Sequence, residues 1–116
     1  IHADGQRMQQ ALLNLIRNAL EACAETATTP RIVVSGAMRD RGTVIEVSDN
    51  GPGIAPRNLQ RVFDPFFTTK PVGKGSGLGL FVVHEITAEH GGRVSIDNGQ
   101  DGGTRVTLWI PAEEEA

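Results

Sequence analysis

Met8, Ala11, Leu12, Leu15, Ile16, Ala19, Leu20 and Cys23 recur at spacings of three and four residues, the pattern of an amphipathic helix with one buried face. Asp4 stands where such a helix takes its N-cap. At about 100° per residue, Asn14, Asn18, Glu21 and Glu25 fall in a narrow polar arc. Asn18 lies where that arc meets the apolar stripe. An amide at such a boundary can look into a pocket instead of bulk water.

Residues Ala27 to Pro30 break the helix. Arg31 to Ala37 and Thr43 to Ser48 are β-rich runs joined by Arg39-Asp40-Arg41-Gly42, a predicted hairpin. The second run stops abruptly at Asp49-Asn50-Gly51-Pro52-Gly53. Pro56 to Val62 suggests a short helix. Phe63 to Gly77 then carries three of the 4 Phe with no regular period, and a loop of that length in a compact domain is usually functional or disordered. Leu80, Val82, Val83, Ile86 and Ala88 predict a second long helix beginning at Leu78 and closed by His90-Gly91-Gly92, with glycine where a C-cap wants it. Arg93 to Asp97 and Thr104 to Ile110 form a second predicted hairpin around Asn98 to Gly103. Pro111 and Glu113 to Glu115 read as a solvated tail.

At 116 residues and 39% hydrophobic, the whole of 1–116 fits one domain with a real core. A net charge of −3 argues against a phosphate-backbone binder, so nucleic acid is not an expected partner. Cys23, the 1 cysteine, excludes an internal disulfide framework, suits a reducing cytosol and reads as a small core residue. No apolar run reaches the roughly 18 to 20 residues of a membrane span. Because the chain opens at Ile1 and turns almost at once to helix, we expect a piece of a longer, cytoplasmic region whose parent's membrane topology is open.

Most of the 14 glycines fall between Gly51 and Gly103, and Gly73, Gly75, Gly77 and Gly79 alternate. Glycine permits positive φ and lets backbone N–H groups approach a ligand. A run of this kind feeding a helix favours phosphate, with Ser76 adding a hydroxyl. The P-loop pattern fails because Gly75 follows Lys74, and the dinucleotide fingerprint fails because Gly75, Gly77 and Gly79 space as GxGxG. His84-Glu85 with His90 misses the HExxH zinc spacing, since the second histidine comes six residues later. At the end of a strand, Asp49 can accept a hydrogen bond from an exocyclic amine such as adenine's, while Gly53 leaves room for a flat ring. Asp-Asn-Gly-Pro is also strong turn chemistry. Asn18 could serve Mg²⁺, which needs few protein ligands, although a helical Asn is more often simply solvated. Singly, none of these features assigns a ligand.

Taken in order, the segments resemble the ATP-binding catalytic domain of sensor histidine kinases, members of the GHKL (Bergerat-fold) superfamily. NLIRNALEA (14–22) resembles the N-box, DNGPGI (49–54) the first glycine box, FDPFFTTK (63–70) the phenylalanine box and GKGSGLGL (73–80) the second glycine box. The resemblance implies a two-layer α/β (α+β) sandwich: a mixed, mainly antiparallel sheet covered on one face by helices, with ATP and Mg²⁺ as cofactors. By position, Asn18 would coordinate Mg²⁺, Asn14 would support the N-box, and Asp49 would hold the adenine amine with Gly51, Gly53 and Ile54. Lys70, near Thr68 and Thr69, would neutralise terminal phosphate charge. Gly73, Lys74, Gly75, Ser76, Gly77, Leu78 and Gly79 would line the phosphates, and Phe63, Phe66 and Phe67 would anchor the lid over them. Catalytic weight would rest on Asn14, Asn18 and Lys70.

In the hydrolytic relatives, of gyrase, mismatch-repair and Hsp90 type, a Glu four residues before the metal-binding Asn activates water; Asn14 stands there instead. An amide is no general base, so the resemblance implies transfer of the γ-phosphoryl to a histidine. Glu21 departs from the basic residue that many of these kinases carry near the phosphates. The acceptor histidine belongs to a separate dimerisation domain, because none of His2, His84 and His90 has the acceptor context. The implied partners are that domain of the same kinase and, through the parent, a response regulator. The chain itself is expected to be monomeric and not to phosphorylate itself, and the parent homodimeric. A serine kinase of anti-sigma-factor type, and a nucleotide-binding regulatory module without catalysis, are the alternatives.

Overall fold

The computed structural model describes residues 5–24, 29–64, 79–99 and 102–112. Helix α1 spans Gly5–Cys23, strands β1 and β2 span Ile32–Arg39 and Gly42–Asp49, and the short helix α2 spans Pro56–Leu59. Helix α3 (Gly79–Glu89) and strands β3 (Arg93–Asn98) and β4 (Thr104–Pro111) complete the order. The sheet runs β1-β2-β4-β3, so β4 inserts between β2 and the strand that precedes it in sequence. Every described pairing is antiparallel, which meets the antiparallel part of the expected mixed sheet and shows no parallel pair among the described residues.

The α1 stripe is buried through Met8, Ala11, Leu15, Ala19 and Cys23. Met8, Ala11, Leu15 and Ala19 meet Val83 and Ile86 of α3 and the alternating Val106, Leu108 and Ile110 of β4 in one core, with Val47 from β2. Leu15, Ile86, Leu108 and Ile110 are each at most 1% exposed, and burying such side chains stabilises by about 1.5–3 kcal/mol apiece. Leu20 departs from the sequence expectation: it is 54% exposed. At about 100° per residue it sits roughly 120° from the centre of the buried stripe, beyond the arc that the sheet and α3 can cover. The arginine of α1's first turns, Arg7, forms a bidentate pair with Glu89 at the far end of α3, at 2.6 and 3.2 Å. Both groups are well exposed, so the pair sets helix alignment more than stability.

Helix α3 ends as its sequence predicts. Gly91 has φ +73°, the Gly92 N–H donates to Thr87 C=O at 3.0 Å and the Gly91 N–H to Ala88 C=O at 3.0 Å, a Schellman motif. The first hairpin is less orthodox. Its two turn residues, Asp40 and Arg41, have φ of 53° and 61°, the primed-turn geometry that suits right-handed strand twist. Gly42 is therefore not the turn glycine but the first residue of β2. A Cβ there would come within 2.5 Å of Ile110 O and 2.6 Å of Trp109 Nε1. The Trp109 ring crosses Gly42 to donate to Arg39 C=O at 3.0 Å, and Arg93 stacks on its other side at 4.7 Å.

Gly42→Ala should therefore lower unfolding free energy by about 1–3 kcal/mol, the cost of overpacking against backbone. Arg41→Gly should be neutral or stabilising, since it removes a side chain from the left-handed region. Urea melts of the two variants check this, and a Gly42→Ala protein as stable as the parent would refute the close-approach account.

Candidate functional site

Residues Asp49 to Ile54 leave the end of β2 and are held from three sides. The Asp49 Oδ1 accepts from the Gly51 N–H at 2.8 Å, an Asx-type turn, and from the Thr104 N–H at 3.3 Å. The second carboxylate oxygen has no protein partner among the described residues and stays available as an acceptor. Asn50 ties the loop to the segment before β1. Its Oδ1 accepts from the Arg31 N–H at 2.8 Å and from the Cys23 thiol at 3.3 Å, and its Nδ2 donates to Thr29 C=O at 2.8 Å. Cys23 is buried, as the sequence suggests, but its sulfur also caps this amide.

Gly51 lies against α1: a Cβ there would sit 3.0 Å from the backbone and Cβ of Ala22. That contact places the loop relative to the N-box asparagines. Asn14, Asn18 and Ala22 are spaced i, i+4, i+8 and share one helix face. Asn18 is thus four residues, about 6 Å along the helix axis, from the residue that Gly51 touches. Asn14 and Asn18 are both half-buried, and neither amide makes a hydrogen bond among the described residues. Asn50 and Asn98, at the two ends of the loop, have both functions of their amides bonded to backbone.

Gly53 has φ +78°, and a Cβ on it would meet Gly102 O at 2.6 Å and Asn98 Oδ1 at 3.0 Å. Its glycine requirement thus comes from the backbone conformation and from the β3–β4 turn lying against it, in addition to any ring beside it. Ile54 is bonded in both directions by the Asn98 side chain, N–H to Oδ1 and Nδ2 to C=O, each at 2.8 Å. Gly103 approaches still closer, with space for no Cβ beside Asp49 C=O. Asn50, Asn98, Gly103 and the Thr104 amide are the site components that sequence reading did not single out. The signal available for them, Asn and Gly clusters at strand ends, is indistinguishable from ordinary turn chemistry.

Phe63 is half-buried and packs on the exposed His84 ring of α3, centroids 5.6 Å apart. Gly79 opens α3, is exposed and has open space where a Cβ would stand. Thr68, Thr69, Lys70, Gly73, Lys74, Gly75, Ser76, Gly77 and Leu78 lie outside the described residues, as do Phe66, Phe67, Asp4 and His2. His90 Nδ1 lies 2.8 Å from Ile86 C=O at the end of α3, a structural contact. Among the described residues no three His, Cys, Asp or Glu gather as a metal cluster, and no helix is long and apolar enough to cross a membrane.

The structure is thus a helix-covered antiparallel sheet with a glycine loop at the end of β2 packed on α1, a helix that also carries two half-buried asparagines making no hydrogen bond among the described residues. The chain belongs to the histidine kinase-, DNA gyrase B- and HSP90-like ATPases, whose family pattern matches residues 3–114. Within that family it is an ATP-binding catalytic domain of the sensor histidine kinase type. It is 41% identical over 111 residues to the sensor histidine kinase ZraS of Escherichia coli strain K12, a match covering 96% of this chain and 23% of that protein. It is 39% identical over 110 residues to the C4-dicarboxylate transport sensor protein DctB of Pseudomonas aeruginosa, covering 95% of this chain and 18% of that one. The chain thus spans less than a quarter of the length of these curated relatives. The solved mycobacterial sensor histidine kinase MprB has a TM-score of 0.84 at 29% identity, over 99% of this chain and 78% of that one. Full-length ShkA in complex with AMPPNP has a TM-score of 0.78 at 29% identity, over 95% of this chain and 22% of that one.

Two glycines of the site differ in what they tolerate. Gly51→Ala should cost about 1–3 kcal/mol of stability by prying the loop from Ala22. Gly79→Ala, in open space, should be neutral or stabilise by up to about 1 kcal/mol. Thermal denaturation of both variants checks the contrast, and equal effects would contradict the contact at Ala22.

Proposed function

We propose that residues 1–116 form one domain that binds Mg-ATP and donates the γ-phosphoryl group to a histidine on a separate dimerisation domain of the same kinase. The observation that carries the reading is the α1 face itself: Asn14 and Asn18, half-buried and without a hydrogen bond among the described residues, lead along the helix to Ala22 and the Asp49 loop. Asp49 uses one oxygen to shape its own turn and offers the other to the adenine amine. Ile54 and Gly53 border the ring. ShkA, whose structure holds AMPPNP, supports a nucleoside triphosphate as the ligand.

Asn18 is the residue that would hold Mg²⁺: an amide oxygen is a suitable hard ligand, and the ion takes most of its shell from phosphate and water. When bound, Mg²⁺ supplies charge neutralisation on the phosphates during transfer. Asn14, an amide, has no capacity to activate water as a general base, which favours transfer over hydrolysis. Lys70 neutralises terminal phosphate charge, with Thr68 and Thr69 beside it. The backbone amides of Gly73 to Gly79, with Lys74 and Ser76, line the phosphates. With positioning and charge as the protein's contribution, the acceptor histidine supplies the nucleophile. The parent is a homodimer passing phosphate to a response regulator.

Calorimetric titration of ATP with and without Mg²⁺ tests the assignment. Asn18→Ala should abolish most of the Mg²⁺-dependent gain in affinity. Asp49→Asn, which keeps an acceptor for the turn but can turn a donor toward the ring, should weaken ATP binding about 10- to 100-fold, the worth of a hydrogen bond to a charged group. Unchanged affinity in both variants would sink the site. Mixing the chain with a dimerisation domain from a related kinase should yield acid-labile phosphate, whereas acid-stable phosphoserine on a partner would indicate the serine-kinase alternative.

A further inference from the structure

Asn98 closes β3, 44 residues beyond Ile54, opposite Thr104 in the β3–β4 register. Its carboxamide bonds both backbone groups of Ile54, accepting from the N–H and donating to the C=O, each at 2.8 Å. A planar amide matches the N–H and C=O of one extended residue as a neighbouring strand would, so this side chain is in effect a single β-bridge. Only a primary amide supplies one donor and one acceptor in that plane. Asp offers two acceptors, and an aliphatic residue offers neither.

The same side chain stands 3.0 Å from the point where Gly53 would carry a Cβ, and Gly102 O of the β3–β4 turn stands 2.6 Å from it. The turn therefore presses on Gly53 while Asn98 pins Ile54. At its other end the loop is fixed by Asp49 and Asn50. Without Asn98, Ile54 would lose both of these hydrogen bonds, and the Gly53-Ile54 end would be left to the close approach of Gly102 at the residue type with the freest backbone.

We propose that Asn98 is a positioning residue for the base end of the nucleotide site, holding Gly53 and Ile54 where the adenine ring meets them. It touches the loop, not the ligand, and its role rests on the reading that Asp49 to Ile54 receive adenine. The effect of its loss is specific in place: binding of the base weakens, and binding of the phosphates does not.

The full chain with Asn98→Ala and the nearly isosteric Asn98→Asp is to be titrated with adenosine and, separately, with inorganic tripolyphosphate. Adenosine affinity should fall about fivefold to tenfold in both variants, and tripolyphosphate affinity should stay within twofold. By NMR hydrogen exchange, the Ile54 amide should lose protection in both variants. Unchanged adenosine affinity, or an equal fall for adenosine and tripolyphosphate, overturns the proposal, the latter by showing a general structural role. Asp49→Asn serves as the control for the underlying reading. If it leaves adenosine affinity unchanged, the adenine assignment itself fails; if it weakens adenosine while the Asn98 variants do not, only the role of Asn98 fails.

Discussion

The site depends on a crossing at which two backbones come closer than any side chain permits. Gly103, just before β4, lies against the Asp49 carbonyl at the end of β2, and only the absence of a Cβ allows it. Because β2 and β4 are hydrogen-bonded neighbours, this crossing finishes their ladder and brings the Thr104 N–H to the Asp49 carboxylate. One oxygen of Asp49 is thereby committed to structure, and the other has no protein partner among the described residues. The geometry of the carboxylate and of the loop it shapes is set by the same backbone contact.

Four asparagines around the loop divide into two pairs by their hydrogen bonding. Asn50 and Asn98 have both functions of their amides engaged with backbone, one at each end of the glycine loop. Asn14 and Asn18 are half-buried and make no such bond among the described residues. The engaged pair ties both ends of the loop to backbone of neighbouring segments.

Stability comes from elsewhere. The core of α1, α3 and the inner face of β2 and β4 holds the helices on the sheet, and the exposed Arg7–Glu89 and Arg105–Asp97 pairs add little to it. Strand β1 stands at the sheet edge with Val33, Val34 and Met38 each more than half exposed, so it contributes ladder bonds to β2 and almost no core. The loop from Asp49 to Ile54 is joined to β4 through Thr104, to β3 through Asn98 and to the segment before β1 through Asn50.

The period of Met8 to Cys23, the alternation of Thr104 to Ile110 and the glycine closing α3 were each legible in the sequence, because they depend on residues within one or two turns of each other. The four boxes also announced the family, because four motifs in one order are far more specific than any one of them. The insertion of β4 between β2 and β3, the exposure of Leu20, the use of Gly42 to admit Trp109 and the bridge from Asn98 to Ile54 were not legible. Each depends on groups brought together by the folding of distant segments, and such contacts leave no period or spacing along the chain. The sequence by itself determined which elements form and which chemistry they carry. Only the tertiary structure decided how they face one another, because strand order and close backbone approach are set by packing between segments.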